Sequence, residues 1–528
     1  MRPRADDRSA AGTKRRSLAC FGEEAPMTDY DFSGYLEARG TNWFDEDPML
    51  VRWVERSNPS EATRRMLDRF GRDAASTWIE RSDVAERRDH LPRIREPDPY
   101  NRFPATEIDL PSVTWKTLAE IHGSGIWRAD FDERARYAIV YLLNEHGEMG
   151  VTCSVACTDG LARVLRMAGD PDDPRIREVL GRIDGATEAD WIHGAQFVTE
   201  IQGGSDAATN ALEARPDGDA FRLHGQKWFC SNLTADYWLV TARRPDGPSD
   251  HRGIGLFCVP RLRDGAPNGY RIRRLKDKLG TRALPTAEIE FEGAWGFPVG
   301  PLDAGLRTMV AVVLTTSRVH NVVAAAASLR RAHREAHAYA HFRTAFGRKL
   351  ADFPLLAASL ERLAAEADLA SAGAFACVED WTAALDPKAS REQKTWARIL
   401  VSIAKAVSTR RTSPRIYEAM MLVGGNGIEE RFSVLPRLYR DAAIMETWEG
   451  PYTLLLSQAL SDMARLEVPG REAEFLHFGL RDAATDELVR ELAAVLAERD
   501  PVARDLAWGE LAPRIYFAYE TWALATLA

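Results

Sequence analysis

Between Thr41 and about Gln196, apolar residues recur with helical spacing. The clearest case opens at Phe131-Asp132-Glu133-Arg134-Ala135, where Tyr137, Ile139, Val140, Leu142 and Leu143 supply an apolar stripe. A second helix is predicted over Thr158 to Met167, ending at the breaker-rich Gly169-Asp170-Pro171-Asp172-Asp173-Pro174. The pattern then shortens. Phe221 to Phe229, Tyr237 to Ala242, Ile254 to Val259, Tyr270 to Leu275 and Ala287 to Phe291 have strand composition, with turn signals at Pro216, Pro245 and Pro267 between several of them. No helices separate these strands, which argues against a parallel Rossmann sheet. From Leu302 the helical period returns over Thr308 to Phe342, Leu355 to Leu385, Thr395 to Thr412 and Pro414 to Val423.

The order is α, then β, then α. The predicted class is α+β: a basic, disordered arm over 1–26, an N-terminal helical domain over 27–196, a middle antiparallel β-domain over 197–300, a C-terminal helical domain over 301–462 and a helical tail over 463–528. Met27 is an alternative start, which would make the arm an artefact. A net charge of −9 gives no overall reason to expect nucleic-acid binding. Six cysteines in 528 residues are too few for a disulfide framework, and a reducing cytoplasm is expected. No run of 18 apolar residues occurs, so no membrane span is expected.

Candidate chemistry is concentrated between Val423 and Tyr452. Pro451 suits the first position of a new helix, and Thr453-Leu454-Leu455-Leu456 reads as that helix. Glu449 therefore stands just before a helix N-terminus and beside Trp448, where desolvation would raise its pKa and make it a proton-abstracting base. In Thr199-Glu200-Ile201-Gln202-Gly203-Gly204-Ser205-Asp206 the glycines admit a ligand close to the backbone, or simply make a tight turn. Trp228 and Phe229 are adjacent in a strand, so one is expected in the core and the other free to cover a flat ring. Arg343-Thr344-Ala345-Phe346-Gly347-Arg348-Lys349 is either a basic helix C-cap or a diphosphate clamp. Arg318 as a lone helix arginine would ordinarily be a surface or ion-pair group. His333, His337 and His341 share a helix face, and Cys153 and Cys157 lie one turn apart; packing is the expectation for both sets, and no metal site is assigned. There is no GxGxxG after a strand and no Walker sequence, so any nucleotide cofactor needs another scheme.

Taken in order on an α-β-α frame, these pieces resemble the acyl-CoA dehydrogenase family of flavoproteins from about Thr41 to Met463, and its AidB-like branch most closely. The closer match rests on Thr199 to Asp206, Lys227-Trp228-Phe229, Leu275-Lys276-Asp277-Lys278-Leu279-Gly280-Thr281-Arg282, Leu435-Pro436-Arg437-Leu438-Tyr439-Arg440 and Trp448-Glu449-Gly450. The resemblance implies FAD between the β-domain and the C-terminal helices. Val198, Thr199, Gly204, Ser205, Trp228, Phe229, Cys230, Gly424, Gly425, Trp448 and Pro451 would line it. Arg343 and Phe346 would reach the cofactor of a neighbouring subunit, so a homo-oligomer, dimer or tetramer, is implied. Glu449 matches the general base and Arg318 a substrate-side position. The implied reaction is α,β-desaturation of an acyl-CoA, with hydride passing to flavin N5.

Three positions depart from the family pattern. Met421 stands where a Gln is usual, Pro451 replaces a Ser or Thr, and Ser461 replaces an Arg of the AidB-like branch. That branch also has a basic C-terminal region proposed to meet DNA. Here residues 463–528 hold seven Arg and no Lys against twelve Asp and Glu, so phosphate would be repelled and DNA binding is not expected. Besides the dehydrogenase, two readings stay open: a same-fold oxidase, monooxygenase or nitroalkane-type oxidant, and a DNA-protecting module of the alkylation-response type.

Overall fold

The computed structural model describes residues 30–96, 99–100 and 107–527. The predicted arm over 1–26 and the alternative start at Met27 lie outside the described residues. The amphipathic pattern after Phe131 forms α1 (Glu133–Glu145), capped by Asp132, whose side chain accepts from Ala135 N–H. Next comes α2 (Met149–Ala168), nine residues longer at its start than the sequence predicts. Its N-cap is Glu148, which accepts from the Gly150 and Val151 N–H groups.

Seven strands follow: β1 (Gly194–Phe197), β2 (Glu213–Asp217), β3 (Ala220–Ser231), β4 (Tyr237–Arg243), β5 (Ile254–Pro260), β6 (Tyr270–Leu275) and β7 (Thr286–Pro298). They form one sheet in the order β6-β7-β3-β2-β4-β1, and β5 bridges β7 and β4, so the sheet curls round on itself. Most pairings are antiparallel. A parallel pairing of β1 with β4 is added, because β1 enters from the helical part rather than from a hairpin. Inside the curl pack Leu223, Cys230, Trp238, Val240, Phe257, Ile289 and Phe291.

The C-terminal half is built from α3 (Thr315–Phe342), α4 (Pro354–Ala384), α5 (Arg391–Val423), α6 (Leu435–Thr447), α7 (Tyr452–Arg465) and α8 (Pro501–Leu527). The continuous helix predicted from Thr308 is broken by a π-helical turn over Met309–Leu314. The two helices predicted on either side of Ser413 are one, with Pro414 inside it. The Pro414 ring is exposed, and its missing N–H costs the helix one bond, to the Arg410 carbonyl. The stretch Gly305–Phe342 is long and apolar enough to cross a membrane, but 78% of its most apolar window is buried inside the fold. One apolar core runs through both helical parts, from Trp53, Tyr137 and Leu142 to Val323, Phe375, Ile403 and Tyr519.

Candidate functional site

Glu449 lies in the short link between α6 and α7. Its φ is +50°, and Gly450 follows at +111°. A glutamate in left-handed backbone stores strain, which persists only where the surroundings hold it. Pro451 is the N-cap of α7 rather than its first residue. The chain therefore leaves α6, reverses at Glu449-Gly450, and re-enters a helix.

Three elements converge on this turn. From β1, Gln196 Nε2 donates to Glu449 Oε1 at 3.1 Å and to Ser317 Oγ at 3.2 Å. From α3, Asn321 Nδ2 donates to Glu449 Oε2 at 2.8 Å. Also from α3, Arg318 Nε donates to the Glu449 carbonyl at 3.0 Å, and its Nη2 to Gln458 Oε1 at 3.0 Å. From α5, Lys405 Nζ donates to the carbonyls of Glu446 at 2.9 Å and Gly450 at 2.8 Å. The carboxyl is thus held by two neutral amides, and its backbone by two buried cations. Burial raises the Glu449 pKa; Lys405, Asn321, Arg318 and Gln196 offset part of that rise. Burial also pulls Lys405 down to about 7 and Arg318 down to about 10.

Arg318 is only 4% exposed, so the surface or ion-pair expectation for it does not hold. Gln196, Asn321 and Lys405 went unassigned in the sequence. For Asn321 there was a signal: Thr316, Ser317, Arg318, His320 and Asn321 crowd polar groups into an otherwise Val- and Ala-rich helix, and all are buried. Gln196 and Lys405 carried no such mark.

The second group of predicted residues lies around the end of β3. The expectation that Trp228 and Phe229 point to opposite faces fails for a definite reason. Cys230 pairs with Ala287 and Lys227 with Ile289, so two residues of β3 face one of β7, Glu288. This β-bulge shifts the alternation by one. Trp228 and Phe229 consequently share a side, and the Lys276 ammonium lies 3.3 Å from one ring centroid and 4.7 Å from the other. Lys276 is fixed there by Glu288 Oε1 at 2.6 Å. Cys230 turns inward into the core of the sheet and has no exposed surface.

The Thr199–Asp206 loop is anchored from beneath. Lys227 and Glu200 form a buried ion pair at 2.8 Å. Lys227 Nζ also donates to the Val198 carbonyl at 2.9 Å, and Glu200 accepts from the Ala211 N–H at 2.6 Å. Trp228 N–H donates to the Thr199 carbonyl at 2.9 Å, tying loop to strand. Above this anchor Gly204 and Ser205 are exposed. At the end of α5, Gly424 (φ +71°) and Gly425 are exposed too, and a Cβ built on either meets nothing within 4 Å.

Arg343 is the C-cap of α3, its N–H donating to the Tyr339 carbonyl at 2.8 Å, and Lys349 Nζ donates to the Phe342 carbonyl at 2.9 Å, so the basic cap is present. The run between them turns back on itself. It is a two-stranded hairpin pairing Thr344 with Lys349 and Ala345 with Arg348, turning at Phe346 and Gly347, both with positive φ. Arg343 lies over the Tyr30 ring at 4.7 Å, and Phe346 is 97% exposed at the tip. The histidines do share one face, with ring centroids 5.5 and 4.0 Å apart along it.

With this geometry in place, comparison with known proteins is direct. Residues 195–294 match the family model of the acyl-CoA dehydrogenase middle domain, and residues 303–461 that of the acyl-CoA dehydrogenase C-terminal domain. The chain is similar to the putative acyl-CoA dehydrogenase AidB of Escherichia coli, 36% identical over 265 residues. That match covers 50% of this chain and 47% of AidB, about half the length of each. It is 30% identical over 383 residues to the mitochondrial short-chain specific acyl-CoA dehydrogenase of Rattus norvegicus, covering 70% of this chain and 84% of the rat protein. Among solved structures, Caenorhabditis elegans ACDH-11 in complex with C11-CoA has the same fold, with a TM-score of 0.81 at 24% identity, over 92% of this chain and 88% of that one. The chain belongs to the acyl-CoA dehydrogenase family, whose cofactor is FAD.

Proposed function

We propose that the protein desaturates an acyl-CoA thioester between its α and β carbons, with Glu449 as the base. The observation that carries this reading is the Glu449 turn: a strained, enclosed carboxyl with a raised pKa, held at both oxygens by neutral amide donors. A carboxylate whose pKa is moved toward neutrality is matched to taking a weakly acidic proton.

The residues present fit FAD. The bulge puts two aromatic rings on one side of β3, and the glycines at 204, 424 and 425 leave backbone that a diphosphate can approach without displacing a side chain. Val198, Thr199, Gly204, Ser205, Trp228 and Phe229 would hold the cofactor from the β side, and Gly424 and Gly425 from the helical side. Bound FAD supplies the acceptor for the hydride that leaves the β-carbon.

Glu449 takes the α-proton. Among the described residues no acceptor is bonded to the Glu449 N–H, so the turn has a donor for the thioester oxygen beside the base itself. Gln196 and Asn321 fix the direction of the carboxyl without neutralising it. The bound acyl-CoA of C. elegans ACDH-11 supports a fatty acyl-CoA as the substrate class.

The test is optical. The purified protein should be yellow and should bleach when mixed anaerobically with one of a series of acyl-CoAs of increasing chain length. Glu449→Gln should remain yellow but bleach at least about 10²-fold more slowly, the usual worth of a general base. Bleaching of that variant at the normal rate would refute the assignment. Oxygen consumption with another substrate and no bleaching would favour the oxidase reading.

A further inference from the structure

We infer that Lys405 is a positioning residue for this reaction: its ammonium closes the base of the Glu449 turn and holds the carboxyl toward its charged form. The inference rests on Glu449 being the base.

Lys405 lies in the middle of α5 and has no exposed surface. Its two acceptors, the Glu446 and Gly450 carbonyls, flank Thr447-Trp448-Glu449. One ammonium therefore spans the last turn of α6 and the reversal that follows. Arg318 holds the carbonyl between them, that of Glu449, from the opposite helix. Consecutive carbonyls of a strained turn are thus each fixed by a buried cation, which is the kind of over-determination that left-handed backbone at Glu449 requires.

Neither cation is spent on a carboxylate. The acceptors of Lys405 are neutral carbonyls, and those of Arg318 are a carbonyl and an amide. A buried ammonium without a bonded anion is costly, so its field falls on the nearest negative charge. Around Lys405 the charged groups are Glu449, Arg318 and Glu446, and the Glu446 carboxylate is engaged by Arg410 at 2.9 Å. Around Arg318 they are Arg398, Glu449 and Asp462, and Asp462 is engaged by Arg398 at 2.7 Å. From α2 the Cys157 thiol lies within electrostatic reach of Glu449, from β1 the Gln196 amide bonds it, and from α3 come the Asn321 amide and the Arg318 guanidinium. Glu449 is the anion left for Lys405. Burial draws Lys405 down to about 7 and raises Glu449, so each charge bears on the protonation of the other.

Three variants separate the two parts of the role. Lys405→Met removes the charge and the donors, Lys405→Gln keeps an N–H donor without the charge, and Lys405→Arg keeps both in a different shape. In Lys405→Met, kcat should fall by about 10²-fold, the cost of misplacing a catalytic group by about 1 Å, while KM is nearly unchanged because Lys405 is out of reach of substrate. Without the cation the acidic limb of the kcat profile should move up by about one pH unit in both the Met and Gln variants, and should return in the Arg variant. Difference infrared spectra of the Glu449 carboxyl, assigned with Glu449→Gln, should show the same upward shift without any substrate. An unmoved limb and an unmoved infrared titration in both neutral variants would overturn the inference. If instead Glu449→Gln turns over normally, the base assignment itself falls, so the two failures are distinguishable.

Discussion

Glu449 and Glu200 are both buried glutamates, and their neighbours give them opposite properties. Burial pushes both up, but Glu200 has the Lys227 ammonium at 2.8 Å and backbone N–H donors besides, and it ends below the usual carboxylate range. Glu449 has only amides on its oxygens and ends above that range. The difference suits their tasks: Glu200 is a fixed anion that clamps a loop, and Glu449 is one able to take a proton. Lys227→Met would leave Glu200 buried without its cation and should cost about 3–5 kcal/mol of stability, read by denaturant unfolding. The Thr199–Asp206 loop would loosen with it, so FAD should be lost on gel filtration under conditions where the parent stays yellow. Retention of both stability and colour would show that the ion pair does not position the loop.

At the scale of elements, small departures from regular structure create the site. The β3 bulge puts two rings on one side, and the π-turn before α3 precedes the helical turn from which Ser317, Arg318 and Asn321 reach the Glu449 cluster. The end of α5 is the third departure. Gly424 has φ +71° and ψ −141°, a region that only glycine adopts readily, so replacing it strains the backbone whatever binds there. Gly425 has no positive φ, and a methyl group placed on its Cα would meet no neighbour within 4 Å. Gly425→Ala should therefore leave the melting temperature of the cofactor-free protein unchanged while weakening FAD retention at least several-fold. Unchanged FAD affinity, measured by fluorescence titration, would remove the diphosphate from this glycine. Helix periods and strand runs were legible in the sequence. The bulge was not, because its cause is a mismatch between two strands 57 residues apart, Cys230 against Ala287.

On the scale of the whole molecule, the parts are joined by a buried charged junction. Asp441 of α6 accepts from the Thr281 N–H of the β-domain at 2.6 Å and from the Met149 N–H of α2 at 3.4 Å. Glu86 accepts from the Ala283 N–H at 3.0 Å, and Arg437 Nε donates to the Gly147 carbonyl at 2.6 Å. Gly280 is packed so closely that a Cβ would lie 2.4 Å from the Arg440 carbonyl oxygen. Burial, then repulsion from Glu86, pushes Asp441 and Glu148 each up to about 7. In the unfolded chain these carboxyls titrate near pH 4 (about 3.9 and 4.3). Folded pKa values above unfolded ones mean that the folded form binds extra protons between those limits. Their contribution to stability is full below about pH 4 and is lost as pH rises to about 7. Asp441→Asn removes one of these titrations, so its stability relative to the parent should improve from pH 5 to about pH 7 and level off above it in denaturant unfolding. A constant difference across that range would place the proton elsewhere.

The sequence by itself determined the succession of helical and strand periods, the breaker-rich boundaries, and the motifs whose order resembles one flavoprotein family, because these are local or cumulative properties of the chain. It also singled out Glu449 through the proline and glycine beside it. What only the tertiary structure decided is the company that glutamate keeps. Gln196, Asn321 and Lys405 stand 253, 128 and 44 positions from it, on a strand and two helices, and no local pattern links them to it. Whether a carboxyl is a clamp or a base depends on which groups the fold places against it, and that placement arises only when the layers close.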